Sequence, residues 1–403
     1  MADICLILEG TYPYRTGGVA TWTDNLVRGL PEFTFSVAHL YYGQEPAQTK
    51  FLFPQNLVSV QCISLNDSRT SVTMQSLVDM LPEARLVHSL STGIAGMLGT
   101  ESKLRKKLPF VLTEHGIYWH EVELGVDELE CGFKIVKTEH GELLLGKTWA
   151  DWNSSFRDLA RRAYGSADVV TTVCSFNQSL QQSLGAPASK SFIIPNGASI
   201  PSNHNGRSRL HESKTYPRIA LVARVSRIKD VKTFLRACSI VQQDLPNAEF
   251  IIVGPTDHDE RYADECKELA DELLLRRVMF TGEATVEQFY PSIDIAVLTS
   301  VSEAQPLVIL EAFAHAIPVV TTDVGGLPEL VMGNGPSKLP AGILCPVADP
   351  KSIAEGIVRL CSDGALYRKC AQTALARVTS DYSAEAVIRS YRTIYQKLLG
   401  NGD

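Results

Sequence analysis

The sequence predicts an α/β protein with two doubly wound domains, each built on a parallel sheet. Short apolar runs alternate with amphipathic stretches along most of the 403 residues, as in βα series that form parallel sheets. This length exceeds the usual size of a single hydrophobic core, which favours two domains. A stretch over 198–216 is rich in Ser, Asn, His and Arg and has no periodicity, which is typical of a linker.

The domain limits follow from the position of that stretch. We place an N-terminal domain at 1–200, a linker at 201–216 and a C-terminal domain at 217–383. A final predicted helix within 384–403 follows the complete second series, so it could pack on either domain, including back on the first.

The first series opens with Ile4–Leu8, an apolar run suited to a central parallel strand. The next loop ends in Gly17-Gly18, just before a predicted helix over 19–30. Glycines let a backbone approach an anion closely, although a plain tight turn explains the pair equally well. The spacing is neither G-x-G-x-x-G nor a P-loop, so redox-dinucleotide and ATP sites are not supported. Further strands are predicted at 35–40, 58–63, 86–88, 110–112, 167–173 and 192–194, and helices at 71–80, 93–106, 156–164 and 176–183.

His115 follows the predicted strand 110–112 and precedes Gly116. An imidazole there could bond a sugar hydroxyl or stabilise charge near a reacting centre, or only cap loop carbonyls. The segment 119–152 is rich in aromatic and charged residues and has weak periodicity. It fits a lid, an acceptor surface or a small surface subdomain.

Arg224 and Lys229 flank the first loop of the second series, between a predicted strand at 219–223 and a helix that runs to 243. Two cations there suit a diphosphate, because Arg can donate two parallel hydrogen bonds and Lys supplies a compact positive charge. The alternative is that both are solvated charges of a loop. Further strands are predicted at 249–253, 278–281, 293–298 and 318–321, and helices at 259–274, 351–361 and 366–379.

Two carboxylates in the second series stand eight positions apart. Glu303 lies in the loop after a buried strand, and Glu311 lies on the helix that follows, with Pro306 in its first turn. The N–H groups of Leu307 and Val308 make the helix start a ready anion site. A carboxylate beside an anion site makes sense if it accepts bonds from hydroxyls of the ligand whose phosphates lie there. That description fits a sugar attached to a nucleotide.

The composition narrows the class of protein. A net charge of −7 argues against wholesale binding to nucleic acid or anionic membranes. The basic cluster 103–107 is explained by a solvated helix end or by a local contact. The nine cysteines form no Cys-x-x-Cys pair, so we predict a reducing, cytoplasmic location and no bound metal or cofactor. We expect no secretory signal, because the first residues lack a basic region, and no apolar run reaches membrane-spanning length.

Several motifs occur together in one order: Gly17-Gly18, His115, Pro195-Asn196-Gly197, Arg224 with Lys229, Glu303-x7-Glu311 and Asp323-Val324-Gly325-Gly326-Leu327-Pro328-Glu329. This order resembles glycosyltransferase family 4 over nearly the whole chain. The resemblance implies a retaining, metal-independent enzyme of GT-B fold, with two Rossmann-like domains facing each other across a cleft.

A narrower resemblance concerns the stretches 8–14, 113–118 and 302–311. They are similar to the cytosolic glycosyltransferases of the Pel exopolysaccharide pathway and their relatives, which implies UDP-glucose as donor. This chain is shorter and has Trp119-His120 where those relatives tend to carry Thr and Arg. The resemblance therefore says more about the donor than about the acceptor.

The family pattern also implies residue roles. Arg224 and Lys229 neutralise the donor diphosphate, helped by the Leu307 and Val308 amides and the Gly17-Gly18 loop. The other roles concern the sugar and the nucleoside: Glu303 and the Ala304 and Gln305 amides hold sugar hydroxyls, Glu311 binds the ribose, backbone near Thr281 reads the base, and His115 lies near the sugar's C6 side or the reaction centre. Ala304-Gln305 replaces the usual Phe-Gly or Gly-Phe-Gly, so the Gln305 side chain could join sugar recognition.

The predicted function is thus transfer of a hexose from a nucleotide sugar to a saccharide or other hydroxyl acceptor, in polysaccharide or glycoconjugate synthesis. Association with a membrane surface or a synthase complex is left open. Two alternatives are a UDP-sugar epimerase of the same fold and a nucleotide-sugar-binding scaffold of a polysaccharide synthase.

Overall fold

The protein's structure, a computed structural model, describes residues 1–65, 74–125, 149–201, 216–257, 259–334 and 339–400. The start of the predicted helix 71–80, most of the segment 119–152 and nearly all of the predicted linker lie outside the described residues. The chain divides into two compact units: an N-terminal unit of Met1–Asn196 with Glu385–Asp403, and a C-terminal unit of Gly197–Ala384.

The N-terminal unit is built on a parallel sheet of seven strands in the order β3-β2-β1-β4-β5-β6-β7. The strands are β1 Ala2–Glu9, β2 Phe35–Tyr41, β3 Leu57–Ser64, β4 Ala84–Ser89, β5 Phe110–Glu114, β6 Val169–Thr172 and β7 Ser191–Ile193. Its helices up to the end of β7 are α1 Gly18–Gly29, α2 Met74–Asp79, α3 Ile94–Lys106, α4 Tyr118–Glu123, α5 Trp149–Ser166 and α6 Ser175–Ser183. The central strand β1 is apolar along most of its length because packing covers both faces of the sheet.

The C-terminal unit repeats this plan with six parallel strands in the order β10-β9-β8-β11-β12-β13. The strands are β8 Arg218–Val222, β9 Glu249–Val253, β10 Val278–Phe280, β11 Ile295–Leu298, β12 Val319–Thr322 and β13 Gly342–Cys345. The helices are α7 Val231–Asp244, α8 Glu260–Glu272, α9 Leu307–Ala314, α10 Leu327–Met332, α11 Pro350–Ser362 and α12 Gly364–Asp381. The predicted fold class, two parallel-sheet α/β units, is therefore confirmed.

In both sheets the strand order reverses once. The reversal lies between β1 and β4 in the N-terminal unit and between β8 and β11 in the C-terminal unit. The loops at the carboxyl ends of these neighbours diverge and leave a crevice, which is where open parallel sheets bind ligands. These two switch points are therefore the first places to search for a site.

The last helix, α13 (Ala384–Leu399), packs within the N-terminal unit. Its Tyr391 and Tyr395 are buried, and the Tyr395 hydroxyl lies 2.7 Å from Nδ1 of His88 on β4. Arg392 also pairs with Glu32 at the edge of the unit. A polar core contact thus joins α13 to the sheet that begins the chain. Within the described ranges, no helix combines the length and apolarity needed to cross a bilayer.

Candidate functional site

The loops that follow β8 and β11 are bonded to each other at the C-terminal switch point. Thr299 Oγ1 donates to the carbonyls of Lys229 and Asp230, at 3.0 and 2.9 Å. The Val301 N–H donates to the carbonyl of Ile228 at 2.9 Å. The loop that carries Lys229 is therefore held against the carboxyl end of β11.

An ion pair spans this switch point. Nζ of Lys229 lies 2.5 Å from Oε1 of Glu303, and the Ser300 hydroxyl donates to the same oxygen at 2.6 Å. The two charged side chains are only 19% and 8% exposed. Shielded charges need partners because desolvation is costly, so the pair holds a cation and a carboxylate in one place. The structure thus brings together two residues, 74 positions apart, that the sequence predicted for one site.

Gly325 fixes the backbone of Glu303. Its φ is 55°, a left-handed conformation that favours glycine, and a Cβ there would overlap the Glu303 carbonyl. The next residue, Gly326, donates its N–H to that carbonyl at 3.3 Å. The Gly-Gly turn before α10 is therefore explained by its contact with the site loop.

Glu311 lies on α9 with a partner that the sequence did not reveal. The Tyr290 hydroxyl donates to its carboxylate at 2.6 Å, and the Tyr290 ring stacks on His315. Burial raises the pKa of Glu311, and the bond from Tyr290 opposes that rise. Tyr290 was missed because no local pattern connects two residues on separate elements.

The other predicted donor-binding residues occupy loops and ends of the same unit. Arg224 follows β8, Thr281 follows β10, and Ala304 and Gln305 follow Glu303. The Thr281 N–H donates to the Ile252 carbonyl at 3.0 Å. Gln305 is buried, with 4% of its surface exposed.

The start of α9 differs slightly from the prediction. Pro306 lies just before the helix in an extended conformation, with φ −69° and ψ 127°, rather than in the first turn. Leu307 and Val308 therefore open the helix. No side chain caps α9, as expected when the preceding residue is proline, which has no polar side-chain atom.

The N-terminal switch point contains a cavity of about 90 Å³. It lies beside the carboxyl ends of β1 and β4, and the polar side chains of its lining are those of Glu9, Thr11, Ser91, His115, Tyr118 and Glu121. Of these six residues, only His115 was predicted as a site residue. The signal for Glu9 was available in principle, because a carboxylate ended an apolar strand and preceded a glycine.

The His115 ring lies edge-on to Trp22, with 4.6 Å between the ring centroids. Burial lowers the pKa of His115 to about 4, although a side-chain bond with Asn196 opposes the shift. The imidazole is therefore neutral near pH 7. A neutral ring suits a bond to a hydroxyl better than it suits stabilisation of negative charge.

Gly17 and Gly18 lie at the exposed start of α1, where Gly17 precedes the helix with φ 150° and no side chain caps it. The basic cluster is largely neutralised within the unit: Lys103 pairs with Asp168 and Arg105 with Glu101, each at 2.6 Å. This supports the interpretation of the cluster as a helix end. Among the described residues, no group of three His, Cys, Asp or Glu side chains is placed to hold a metal ion.

Two family models match this chain. Residues 216–363 match the family described as glycosyl transferases group 1. Residues 2–76 and 70–189 match a domain of unknown function, DUF3492.

Curated proteins give partial matches. The chain is 32% identical over 124 residues to N-acetyl-alpha-D-glucosaminyl L-malate synthase of Bacillus anthracis, covering 30% of this chain and 31% of that one. It is 27% identical over 245 residues to an uncharacterized glycosyltransferase of Methanocaldococcus jannaschii, covering 58% and 60% of the two chains. The chain thus spans between about a third and three fifths of these relatives.

Solved structures match over the full length. Sucrose-phosphate synthase from Thermosynechococcus elongatus superposes with a TM-score of 0.74 at 20% identity, covering 100% of both chains. HepE from Anabaena, solved with UDP and glucose, gives 0.73 at 18% identity, covering 98% of this chain and 99% of that one. At these identities the likeness establishes the fold, which is GT-B. Residues 216–363 thus match the glycosyl transferases group 1 family, in a chain whose fold is GT-B.

Proposed function

We propose that this protein is a retaining glycosyltransferase that moves a hexose from a nucleotide sugar, UDP-glucose by preference, to a hydroxyl of a saccharide or other acceptor. The observation that carries the proposal is the Lys229–Glu303 pair at the β8/β11 switch point. A parallel sheet binds ligands there, and the pair offers a cation for phosphate next to a carboxylate for sugar hydroxyls. HepE, a structural neighbour, has been solved with UDP-glucose, which supports the choice of donor.

In this proposal, different residues bind different parts of the donor, and the first set binds the diphosphate. Lys229 and Arg224 bind the diphosphate together with the start of α9, where Leu307 and Val308 present their amides. The Gly17-Gly18 loop of the N-terminal unit adds backbone donors to the diphosphate. Positive charge that is held in place before the reaction begins is the largest contribution that a protein makes to the departure of a diphosphate.

A second set of residues binds the sugar and the nucleoside of the donor. Glu303 and the amides of Ala304 and Gln305 bind sugar hydroxyls, and the Gln305 side chain takes part in sugar recognition. Glu311, held by Tyr290, binds the ribose, and backbone near Thr281 reads the base. His115, neutral near pH 7, bonds a sugar hydroxyl near the reacting carbon.

The reaction follows from charge. The bond between the anomeric carbon and the diphosphate oxygen breaks, leaving negative charge on the diphosphate and positive charge on the carbon. Lys229 and Arg224 stabilise the departing diphosphate. The acceptor oxygen bonds to the carbon on the same face, and its proton passes to the diphosphate oxygen. Retention follows without a covalent enzyme intermediate, and the protein's own cations supply the charge without a metal.

The experiment is NMR of the full-length protein with a panel of UDP-sugars, with and without simple glycosides. Release of UDP with free sugar or a new glycoside of retained configuration supports the transferase. Conversion of the UDP-sugar to an epimer would instead establish the first alternative. Binding without turnover of any donor and acceptor in the panel would establish the scaffold. A thermal-shift series with UDP, GDP and ADP identifies the base, since a ligand stabilises the fold by mass action.

The wider setting belongs to the same proposal. Scattered cysteines and a glycosyl transferases group 1 domain fit a cytoplasmic enzyme of exopolysaccharide synthesis within glycosyltransferase family 4. Fractionation of cells that express the full-length chain tests this directly. Recovery outside the cytoplasm and away from its membrane surface would contradict it.

A further inference from the structure

Glu9 ends β1, at the switch point of the N-terminal unit. It is 4% exposed, and one carboxyl oxygen accepts the N–H of Ala95, in the first turn of α3, at 2.7 Å. Gly93 leaves the space for this contact, because a Cβ there would lie 2.7 Å from the same oxygen. Burial raises the pKa of Glu9, and hydrogen bonds from the Ala95 N–H, the Tyr118 and Ser91 side chains and the Ile94 N–H oppose that rise. The carboxyl is therefore fixed in direction by a helix N-terminus while it lines a cavity.

The cavity contains further polar atoms that the described residues do not satisfy. The hydroxyl of Thr11, a residue 6% exposed, has no hydrogen-bond partner among the described residues. Within the same described part of the chain, Nε2 of His115 is buried and makes no hydrogen bond of normal geometry, although the ring has a side-chain contact with Asn196. Buried polar atoms are nearly always bonded, so the Thr11 hydroxyl points to a ligand, and the His115 ring lies in the same lining.

The charge of the lining restricts that ligand. Glu9 and Glu121 both contribute to the cavity surface, and the described residues that line it include no Arg or Lys. A phosphate or carboxylate placed there would meet two acidic side chains without a counter-ion, at a high desolvation cost. Hydroxyl groups, which can donate to carboxylates and to a neutral imidazole, suit the lining.

The size of the cavity restricts the ligand further. At about 90 Å³ it has room for more than one group the size of a water molecule. Such a space admits neighbouring hydroxyls along one edge of a sugar.

We propose that Glu9, Thr11 and His115 bind the hydroxyls along one edge of a neutral saccharide, and that Glu9 selects against anionic sugars. The proposal rests on the proposed function only in assuming that the bound saccharide is a reactant; the binding itself needs no nucleotide. The acceptor and the sugar of the donor share this chemistry, and the two arms of the test separate them.

The first arm is a set of saturation-transfer NMR titrations on the full-length protein without nucleotide. The probes are methyl α-D-glucopyranoside and glucuronate at equal millimolar concentrations. We expect binding of the glucoside and none of the glucuronate. Glu9→Gln keeps an oxygen for the Ala95 N–H but removes the negative charge, so the glucoside should bind about tenfold more weakly, as for a lost hydrogen bond to a charged group. The preference over glucuronate should shrink.

Two further variants keep this arm decisive. Thr11→Val removes a hydroxyl with little change in shape and should weaken glucoside binding about threefold or more. Glu101→Gln is the matched control, because this glutamate of α3 pairs with Arg105 outside the cavity. It should behave as the wild type. Equal binding of both probes by the wild type, or wild-type titrations for Glu9→Gln and Thr11→Val, would overturn the proposal.

The second arm compares the affinities of UDP and UDP-glucose for the wild type and Glu9→Gln by calorimetry. A loss confined to UDP-glucose assigns the edge to the donor sugar, whereas unchanged affinities together with weaker glucoside binding assign it to the acceptor. Failure of the proposed function looks different: glucoside binding persists and depends on Glu9, yet no UDP-sugar is turned over.

Discussion

The two units have the same topology and place polar side chains at the same point of it, but with opposite chemistry. At the β8/β11 switch point, Lys229 pairs with Glu303 at 2.5 Å. At the β1/β4 switch point, Glu9 is bonded by a backbone N–H and faces a neutral His115 across a cavity. The parallel sheet therefore determines where a ligand can bind, and the loops determine its charge.

The two carboxylates also differ in their hydrogen-bond partners, and therefore in whether a ligand can replace a partner. Glu303 is bonded by the side chain of Lys229. A lysine side chain is flexible, so it can rotate toward a phosphate group when one binds. Glu9 is bonded by the Ala95 N–H and by the side chains of Tyr118 and Ser91, so its partners belong to the cavity wall itself. The first arrangement suits an anion with attached hydroxyls and the second suits hydroxyls alone.

The largest expected effect comes from removing the cation of the C-terminal unit. Lys229→Ala should lower the turnover of UDP-glucose by on the order of 10²-fold or more, because the departing diphosphate loses a fixed positive charge. Arg224→Ala should act in the same direction. The measurement is the rate of UDP release at saturating donor.

The control for this prediction is Lys232→Ala. Lys232 lies three positions away and pairs with Glu265 at 2.7 Å rather than with Glu303, so its loss should leave turnover nearly unchanged. Near-wild-type turnover in both Lys229→Ala and Arg224→Ala would remove the diphosphate assignment and, with it, the contrast between the units.

The second prediction concerns acid stability, which should be a property of the N-terminal unit. Burial lowers the pKa of His88 to about 3. As pH falls below 6.5 the unfolded chain takes up a proton at this residue and the folded chain does not, so stability is lost on acidification. Removing the group by His88→Gln should therefore reduce the loss of stability between pH 6.5 and 4.5 by roughly 2–3 kcal/mol.

Urea titrations followed by tryptophan fluorescence test this unit selectively, because all tryptophans belong to it: Trp22, Trp119, Trp149 and Trp152. Burial also raises the pKa of Glu9 and Glu114, which stabilises the fold as pH falls and so opposes the histidine effect. Comparing each variant with the wild type cancels that contribution. An identical pH dependence for wild type and His88→Gln would show that His88 is not the residue responsible.

The third prediction tests how the C-terminal unit positions Glu311. Tyr290→Phe removes the hydrogen bond to its carboxylate, which leaves burial to raise the pKa of Glu311 further. UDP affinity should fall roughly tenfold, the size of a lost hydrogen bond to a charged group. Pyrophosphate, which has no ribose, should bind as before. Calorimetry measures both, and an equal loss for the two ligands would instead place Tyr290 at the diphosphate.

Most of the fold could be predicted because buried parallel strands are apolar along their length. Strands such as β1 and β11 are covered on both faces, so their runs stand out from the sequence. The strand β13 was missed because its four residues, GILC, include only two large apolar side chains and end before Pro346. The short helix α4 was missed because it lies inside an aromatic and charged stretch without periodicity.

The site residues that could be predicted are those whose role depends on following the end of a strand in the sequence. Lys229 and Glu303 both follow strands, and a cation or carboxylate there is visible in the sequence. Glu9 also ends a strand, but its importance depends on β1 and β4 being neighbours and on α3 starting beside it. The contact of Tyr290 with Glu311 likewise depends on how two elements pack, which no local pattern encodes.

The smallest expected effect concerns α13 and the edge of the N-terminal unit. Arg392 of α13 pairs with Glu32 at 2.5 Å, but the two side chains are 35% and 38% exposed. Exposed pairs contribute little, so Arg392→Ala should lower the stability seen by tryptophan fluorescence by less than about 1 kcal/mol. Arg389→Ala is the control, since its partner Glu385 lies on the same helix. A loss above about 2 kcal/mol for Arg392→Ala alone would mean that the ion pair, rather than the buried Tyr391 and Tyr395 with His88, holds α13 to the unit, because that is more than exposed pairs contribute.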